Sequence, residues 1–246
     1  MKKYFNVFLE FNHAQIKNLI EGAISTNEPG YVCIIDANVL TIAQQNSNYC
    51  SILNESLVNS CDGSSIATLA NFVYKKNYKA WNGPDIFEYY IEKKYKQLLL
   101  GSTEEIAAQI NNILKEKGLD NSHIVTLTLP FAAVEDFDYI EIAKKINEIN
   151  PDIIWVSLGA PKQEIFMNRI RPLLSRGVMF GIGAAFNFYI GTISLPKFSF
   201  FGLRFIWVSR IFSEPQKQLR RILPYIVLIP KLWWKERAIY KKELVK

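Results

Sequence analysis

Short apolar runs alternate with longer segments whose apolar residues recur at helical spacing, as far as about residue 190. The short runs predict buried strands at residues 31–35, 57–61, 97–100, 124–129, 153–158 and 177–182. The longer segments predict helices from about residue 39, at 66–76, from 102 or 103 to 117, at 139–150 and at 161–171. Strands and helices that alternate in this way are typical of an α/β fold with a parallel sheet.

Polar or glycine-rich segments follow four of these predicted strands directly. In open α/β sheets, ligands bind beyond the carboxyl ends of the strands. Each segment alone fits an ordinary cap or turn, but four of them at one edge of a sheet indicate a ligand cleft. The segments are Asp36-Ala37-Asn38, Asp62-Gly63, Gly159-Ala160-Pro161-Lys162-Gln163-Glu164 and Gly181-Ile182-Gly183-Ala184-Ala185.

The segment from Gly159 to Glu164 has the pattern of a strand-to-helix loop with a proline near the first helical position. The N–H groups at such a helix start favour a phosphate, and Lys162 adds a positive charge. The alternative is a simple turn in which Gln163 and Glu164 are first-turn residues. The chain has neither a G-x-G-x-x-G fingerprint nor a Walker A motif.

Two acidic features have competing interpretations. Asp62 lies between a predicted strand and a helix, where a carboxylate can serve either as a general base or as a helix N-cap. Asp136-Phe137-Asp138 has the D-x-D form of some metal sites, but it falls where the helix at 139–150 should begin. We therefore interpret this acidic cluster as a helix start and expect no metal site. His13 and His123 are expected to be structural or exposed.

Charge is distributed unevenly along the 246 residues. Residues 196–246 carry 12 Lys/Arg against 3 Asp/Glu, whereas residues 1–195 carry 17 against 20. The basic segment is also rich in aromatic residues, among them Trp207, Trp233 and Trp234. This combination favours an anionic membrane surface over nucleic acid, although a helix packed on the body with a solvated basic face is the alternative.

Composition narrows the class of protein further. With 49% hydrophobic and 21% charged residues, the chain is globular and not disordered. Cys33, Cys50 and Cys61 form no C-x-x-C pair, which points to the reducing cytoplasm. No apolar run approaches the roughly 20 residues needed to span a bilayer, and the amino terminus lacks the pattern of a secretory signal.

Five segments follow one another along the chain: Asp62-Gly63, Asn82-Gly83-Pro84-Asp85, Leu158 to Glu164, Gly181 to Phe186, and Trp207-Val208-Ser209-Arg210-Ile211-Phe212-Ser213-Glu214-Pro215. In this order they resemble the motifs of the WecG/TagA/CpsF glycosyltransferases, and the likeness extends from about Tyr31 to Arg221. The most specific are the Gly-x-Pro-Lys-Gln-Glu block and the Arg that precedes Glu-Pro.

The resemblance implies a Rossmann-like domain at 1–195 and a basic, aromatic-rich helical appendage at 196–246 that associates with the membrane. It implies an inverting transfer, without metal or cofactor, of a hexose or N-acetylhexosamine from a UDP-sugar to a polyprenyl-diphosphate-linked sugar. Such an enzyme acts in surface polysaccharide synthesis, on the inner face of the cell membrane. Asp62 is the implied base. The substrate-binding residues expected are Asn38, Gly63, Asp85, Gly159, Pro161, Lys162, Gln163, Glu164, Gly183, Asn187, Arg210, Arg220 and Arg221.

Several positions depart from the family pattern. The family commonly has Thr or Ser near Asp36 and Ala37, Arg at about Ala80, Asp at Asn187 and Arg-Ala-Pro in place of Ser194-Leu195-Pro196. Two other functions stay open. The departures suggest a non-catalytic protein that binds a nucleotide-sugar or a lipid head group. The α/β pattern alone would permit a dehydrogenase, which the missing dinucleotide fingerprint disfavours. Association into a homo-oligomer also stays open.

Overall fold

The computed structural model describes residues 1–62, 64–193, 199–200, 203–204 and 215–244, with side chains for 1–62, 65–193 and 228–242. The strands are β1 (Lys2–Tyr4), β2 (Val7–Leu9), β3 (Gly30–Ile35), β4 (Val58–Cys61), β5 (Gln97–Leu100), β6 (Ile124–Leu127), β7 (Ile153–Val156), β8 (Val178–Gly181), β9 (Ser199–Phe200) and β10 (Leu203–Arg204). The helices are α1 (His13–Ser25), α2 (Ala37–Gln45), α3 (Ser47–Asn54), α4 (Ser64–Tyr74), α5 (Gly83–Ile91), α6 (Glu104–Glu116), α7 (Tyr139–Ile149), α8 (Lys162–Ile170), α9 (Ala185–Tyr189) and α10 (Pro215–Leu244).

A six-stranded sheet forms the centre of the molecule, in the order β4-β3-β8-β7-β5-β6. Every neighbouring pair in it is parallel. When only these six strands are numbered, from 1 to 6 in chain order, their order across the sheet is 2-1-6-5-3-4. A dinucleotide-binding Rossmann sheet has the order 3-2-1-4-5-6, so the connectivity differs. The α/β architecture that the sequence predicts is confirmed, with a Rossmann-like parallel sheet.

Helices cover both faces of the sheet, each over its own apolar cluster. One cluster holds side chains from α2, α3, α4, α7 and α8, and the other holds side chains from α1, α5, α6 and α9. β3 contributes to both, with Tyr31 and Cys33 on the first face and Val32 and Ile34 on the second. The chain leaves β3 toward the first face and leaves β8 toward the second, and in open α/β sheets the ligand crevice forms at such a switch point.

The boundaries of the predicted elements agree closely with the structure where apolar runs mark them. The strand predicted at 97–100 is β5 without change, and the helix predicted at 139–150 is α7. Asn150 ends α7 in the left-handed conformation, with φ of 53°. The pattern did not predict the β1–β2 hairpin, α1, α3, α5 or α9.

The carboxy-terminal segment contains a long helix, as expected for the appendage. β9 and β10 pair antiparallel before it, and α10 packs on α2 and α4. Leu232 of α10 is buried in the first apolar cluster. The predicted domain boundary at residues 195 and 196 stays a prediction.

Candidate functional site

Four strand ends come together at one edge of the sheet, as the sequence predicts. β4, β3, β8 and β7 are neighbours and run parallel, so the residues that follow them lie side by side. The backbone continues the pairing by one residue beyond β4 and β8. Asp62 N–H donates to the carbonyl of Ile35 at 2.9 Å, and Ile182 N–H donates to the carbonyl of Val156 at 3.1 Å.

Asp36 and Asn38 lie where β3 passes into α2. Asp36 is the N-cap of this helix, and its Oδ1 accepts a hydrogen bond from Val39 N–H at 2.7 Å. Asn38 is the second residue of the helix and is half-buried. The cap holds the first turn of α2 at the sheet edge, and Asn38 is part of that turn.

Asp62 follows β4 and is half-buried. Two hydrogen bonds connect the residues before Asp62 to the loop that precedes α5. Trp81 N–H donates to the Cys61 carbonyl at 3.0 Å, and Ser60 Oγ donates to the Trp81 carbonyl at 2.9 Å. Gly63, the next predicted site residue, lies outside the described residues. Hydrogen bonds from β3 and from the loop before α5 therefore hold the backbone at Asp62 in place.

The Asn82-Gly83-Pro84-Asp85 segment also reaches this edge. A Cβ built on Gly83 would lie 3.7 Å from Ile34 Cγ2 and 3.8 Å from the Ile182 carbonyl, so the segment packs over the ends of β3 and β8. Asn82 Nδ2 donates to Asp85 Oδ2 at 3.2 Å across the start of α5. Asp85 lies in the first turn of α5, and its role in substrate binding stays a prediction.

Gln163 joins the loops that follow β7 and β8. Its Oε1 accepts hydrogen bonds from Gly159 N–H at 3.1 Å and from Gly183 N–H at 3.0 Å. Both glycines have positive φ, 75° and 54°, which a residue with a side chain rarely adopts. Ser157 Oγ adds a bond of 2.7 Å to the Gly183 carbonyl. Gln163 is only 4% exposed, so it shapes the two loops and offers little surface to a ligand.

A third glycine gives the side chains of α8 room against the sheet. A Cβ on Gly181 would lie 2.7 Å from Met167 Cε and 3.1 Å from Gln163 Nε2. Both atoms are the ends of side chains, so these side chains would have to shift to accommodate it. Gly181 therefore leaves room for Met167 and Gln163 at the strand ends.

Glu164 is fully buried, and two protein side chains donate hydrogen bonds to its carboxylate. Gln163 Nε2 donates to its Oε1 at 2.8 Å, and the Tyr49 hydroxyl donates to its Oε2 at 2.9 Å. Burial raises the pKa of Glu164 to about 7, against the opposing effect of these two hydrogen bonds. The sequence implied that Glu164 binds substrate, but a side chain with 0% exposure has no surface for that contact.

Lys162 points toward the loop between β6 and α7. Its ammonium donates to the Ala132 carbonyl and lies 4.8 Å from the centre of the Phe137 ring. Pro161 before it is exposed, and the Ala160–Pro161 peptide is cis. The positive charge that the sequence assigns to a phosphate is thus engaged with a neighbouring loop in this structure.

Known proteins resemble this chain along nearly its whole length. A family model described as "Glycosyl transferase WecG/TagA/CpsF family" matches residues 5–243. The chain belongs to this family. Two relatives are each called N-acetylglucosaminyldiphosphoundecaprenol N-acetyl-beta-D-mannosaminyltransferase. The Bacillus spizizenii protein is 23% identical over 95% of this chain and 91% of its own, and the Bacillus subtilis protein is 23% identical over 86% and 83%.

In this WecG/TagA/CpsF glycosyltransferase, the D-x-D segment begins a helix. Asp138 is the N-cap of α7, and its Oδ1 accepts from Glu141 N–H at 2.9 Å. Within residues 1–62, 64–193 and the described carboxy-terminal parts, no group of three or more His, Cys, Asp or Glu side chains is placed to hold a metal ion. Asp138 is therefore part of the helix start, as interpreted from the sequence, whereas Asp136 lies in the turn before it.

The appendage of this family member contacts the helices that start at the site. α2 begins next to Asn38 and α4 begins shortly after Asp62, and α10 packs on both. The Tyr74 hydroxyl donates to Oε1 of Glu236, which is 3% exposed, at 2.5 Å. Within the described part of the chain, no helix is long and apolar enough to span a membrane.

The side chains of the three arginines expected at the site lie outside the described part of the chain. Arg210 lies outside the described residues. Arg220 and Arg221 belong to α10, but their side chains also lie outside the described part. Asn187 is half-buried in α9, where its carbonyl accepts from Ile193 N–H and Thr192 Oγ1, both at 3.0 Å.

Sequence reasoning missed two residues of the site. Ser157 interrupts the apolar run predicted at 153–158, and this polar residue at a strand end was a usable indication. Tyr49 gave no such indication, because its partner Glu164 is 115 residues away along the chain. Only the fold brings that pair together.

Proposed function

We propose that this family member transfers a hexose or N-acetylhexosamine, of the N-acetylmannosamine type, from a UDP-sugar to a polyprenyl-diphosphate-linked sugar in bacterial surface polysaccharide synthesis. The relatives' name supports the choice of transferred sugar and of acceptor. The observation that carries the proposal is the convergence of Asp62, Asn38 and the Gly159 and Gly183 loops at the ends of neighbouring parallel strands. The transfer is proposed to be inverting and metal-independent.

Asp62 is the proposed general base. Its carboxylate accepts the proton of the acceptor hydroxyl while the hydroxyl oxygen attacks the anomeric carbon of the donor sugar. The bond from that carbon to the diphosphate oxygen breaks, and UDP leaves with the bonding electron pair. A single displacement of this kind inverts the anomeric centre. General-base assistance is typically worth about 10²–10⁴-fold in rate.

The loops after β7 and β8 are the proposed donor-binding surface. They hold the amino-terminal turn of α8 at the sheet edge, where the helix dipole favours the negative diphosphate. Gln163 fixes these loops, and Asn38 and Asp85 are proposed to bind sugar hydroxyls from the adjacent strand ends. In this proposal, the Lys162 ammonium releases its hydrogen bond to the Ala132 carbonyl and donates to a phosphate oxygen of the donor instead.

Charge on the departing diphosphate needs compensation when no metal ion takes part. Arg210, Arg220 and Arg221 are proposed to supply it as the appendage closes over the cleft. Such positive groups act most strongly where water is excluded. The packing of α10 on α2 and α4 supports this arrangement, since it keeps the appendage next to the helices that start at Asn38 and Asp62.

The appendage is also the proposed membrane-binding element, and it would hold the protein peripherally on the inner face of the cell membrane. Trp234 is 67% exposed on α10, and Phe72 on the neighbouring α4 is 72% exposed. Their partner Trp233 lies between them, with ring centres 6.1 Å from Phe72 and 4.9 Å from Trp234. Exposed aromatic rings beside basic residues are typical of surfaces that bind anionic lipid.

Transfer assays with a panel of UDP-sugars and a polyprenyl-diphosphate-linked N-acetylglucosamine acceptor test the proposal. We expect one N-acetylhexosamine donor to give a lipid-linked disaccharide with inverted anomeric configuration. Binding of a UDP-sugar without transfer to any acceptor would instead favour the non-catalytic alternative, to which the departures at Asp36, Ala80 and Asn187 already point.

A further inference from the structure

Glu164 is a buried acidic residue for which direct substrate contact is excluded by its burial. The groups that face it are the Tyr49 hydroxyl from α3, the Gln163 amide from α8, and Cys33 and Asp36 from β3 and its end. All of these are neutral or acidic. An ionised carboxylate in such surroundings is unfavourable unless its hydrogen bonds are well made.

Its bond to Gln163 and the two glycine N–H groups favour the same orientation of that amide. A glutamine amide has an oxygen that accepts and a nitrogen that donates, and the two ends have nearly the same shape. An ionised carboxylate can only accept, so Nε2 of Gln163 must face Glu164. Oε1 is then left to face the two donors, Gly159 N–H and Gly183 N–H. With the amide reversed, Nε2 would meet two N–H groups and all three donors would lack acceptors.

We propose that Glu164 is a positioning residue, which acts through Gln163 to hold the Gly159 and Gly183 loops in the geometry that binds the donor. The loops' role in donor binding rests on the proposed function. The positioning of the loops does not, because it follows from the contacts among Glu164, Gln163 and the two glycines.

The ionisation of Glu164 supports this inference. Burial raises its pKa to about 7, so the carboxylate is charged above that pH and neutral well below it. A neutral carboxyl accepts a weaker hydrogen bond from Gln163 Nε2 than a carboxylate does, so protonation loosens its hold on the Gln163 amide. The Tyr49 hydroxyl lowers the pKa of Glu164 by donating to Oε2, so losing that hydroxyl should move the titration to higher pH.

The backbone amides of Gly159 and Gly183 provide a test that needs no substrate. In the full-length wild-type protein we expect both amide resonances to titrate together with a midpoint near pH 7, and both to be protected from hydrogen exchange at pH 8. Glu164→Gln should remove the titration and reduce protection about tenfold at these two positions, because a neutral amide oxygen holds Gln163 Nε2 less strongly than a carboxylate does. Amides elsewhere in β7 and β8 should keep their protection.

Tyr49→Phe is the matched variant, because it removes the other partner of the same carboxylate and leaves Gln163 untouched. It should retain the protection of Gly159 and Gly183 well above pH 7 and move their titration to higher pH. Uniform loss of protection across β7 and β8 in Glu164→Gln would mean a purely structural role and would overturn the proposal. Unchanged protection and a persistent titration at both glycines would overturn it as well.

Donor kinetics separate this inference from the proposed function. With an active UDP-sugar, Glu164→Gln should raise KM for the donor more than it lowers kcat, because the loops bind the donor before and during transfer. If the wild type uses no UDP-sugar at all, the proposed function fails, and the amide measurements still decide the role of Glu164. If the wild type transfers sugar but the glycine amides do not respond, the positioning role alone fails.

Discussion

At the scale of single residues, the site depends on side chains that connect strand ends as much as on those that face the crevice. Gln163 joins the loops after β7 and β8 and is itself joined through Glu164 to Tyr49 of α3. Asp62 differs from these buried groups, since it is half-buried at the end of β4. This difference in burial matches the roles we propose, in which the buried residues position the site and Asp62 acts in it.

Replacing Asp62 with Asn should remove the base and little of the binding energy. We expect Asp62→Asn to fold, to bind the UDP-sugar and to lose about 10²-fold or more in kcat. Steady-state transfer assays and donor titration measure the two effects. Asp136→Asn, which changes an exposed carboxylate of the D-x-D segment, is the control and should keep the wild-type rate. A wild-type rate in Asp62→Asn would rule out the assignment.

Replacing Glu164 should change stability in a pH-dependent way. The folded pKa of about 7 lies above the ordinary 4.5, so protonation favours the folded state. This contribution is fully present below pH 4.5 and is lost as pH rises through 7, a loss of roughly 3 kcal/mol. Glu164→Gln avoids that loss but weakens a hydrogen bond worth about 1 kcal/mol, so it should be roughly 2 kcal/mol more stable than wild type at pH 8.

Urea unfolding at pH 5 and pH 8 measures this difference. The gain should shrink toward pH 5, while the exposed Glu148→Gln control should differ little from wild type at either pH. If Glu164→Gln were equally destabilised at pH 5 and pH 8, the ionised carboxylate would stabilise the folded state, contrary to this prediction. A gain in stability together with weaker donor binding is the pattern expected of a functional residue.

The positions of site residues could be predicted from the sequence better than their contacts. Asp36, Asp62 and Gly159 each follow an apolar run, so parallel strands must bring them to one edge. The burial of Glu164 and the contact of Lys162 with Ala132 depend on segments distant in the chain. Nothing in the residue types at 162–164 indicates which of these side chains points into the protein.

At the scale of elements, the predictions succeeded where local pattern and tertiary burial agree. β5 and α7 have apolar residues at the spacing of the element and a stop residue after it. The β1–β2 hairpin lacks the usual indication, because its turn places Phe5 and Asn6 at φ of 54° and 68° without a glycine. Gln44 Nε2 and Asn54 Nδ2 donate to the carbonyls of this turn at 2.6 and 3.1 Å, so distant side chains stabilise it.

The docking of α10 should depend on its buried carboxylate. Tyr74→Phe removes the donor to Glu236, which is 3% exposed, and leaves that side chain without this bond. An unmet buried acceptor costs about 1–3 kcal/mol, so the helix should detach more often. We expect faster amide exchange over residues 228–242 and slower transfer. Global unfolding of the sheet should change little.

Tyr240→Phe is the control for this variant. Tyr240 packs against Tyr74 with ring centres 4.9 Å apart, and the substitution preserves that ring contact. Its exchange over residues 228–242 should match that of wild type. If Tyr74→Phe also matched wild type there, the Tyr74–Glu236 hydrogen bond would contribute nothing to docking.

At the scale of the whole molecule, the proposed chemistry has no part for a metal ion. Asp138 caps α7, which accounts for its place in the D-x-D segment. We therefore expect transfer to continue in excess EDTA at the rate measured without it. Loss of transfer on chelation, with recovery on adding Mg²⁺ or Mn²⁺, would require a metal site that includes Asp136 or Asp138.

Charge divides the molecule into a body of net −3 at residues 1–195 and a segment of net +9 at residues 196–246. The exposed basic residues of α10 with described side chains are Lys231, Lys235, Arg237, Lys241 and Lys242. Each basic residue near an anionic leaflet contributes roughly 1 kcal/mol, so five of them can hold the protein reversibly at the surface. Because α10 also packs on α2 and α4, membrane docking and completion of the site should be coupled.

Replacing those five residues with Gln should weaken binding to anionic liposomes, most clearly at low salt, and should affect a water-soluble acceptor analogue less. The charge-matched control replaces five exposed lysines of the body, namely Lys94, Lys96, Lys115, Lys144 and Lys145. Equal loss of liposome binding in both variants would show that net charge alone matters.

Truncation at about residue 196 should reduce liposome binding and transfer together. A truncated protein that used a lipid-linked acceptor as well as the full chain would limit the appendage to packing.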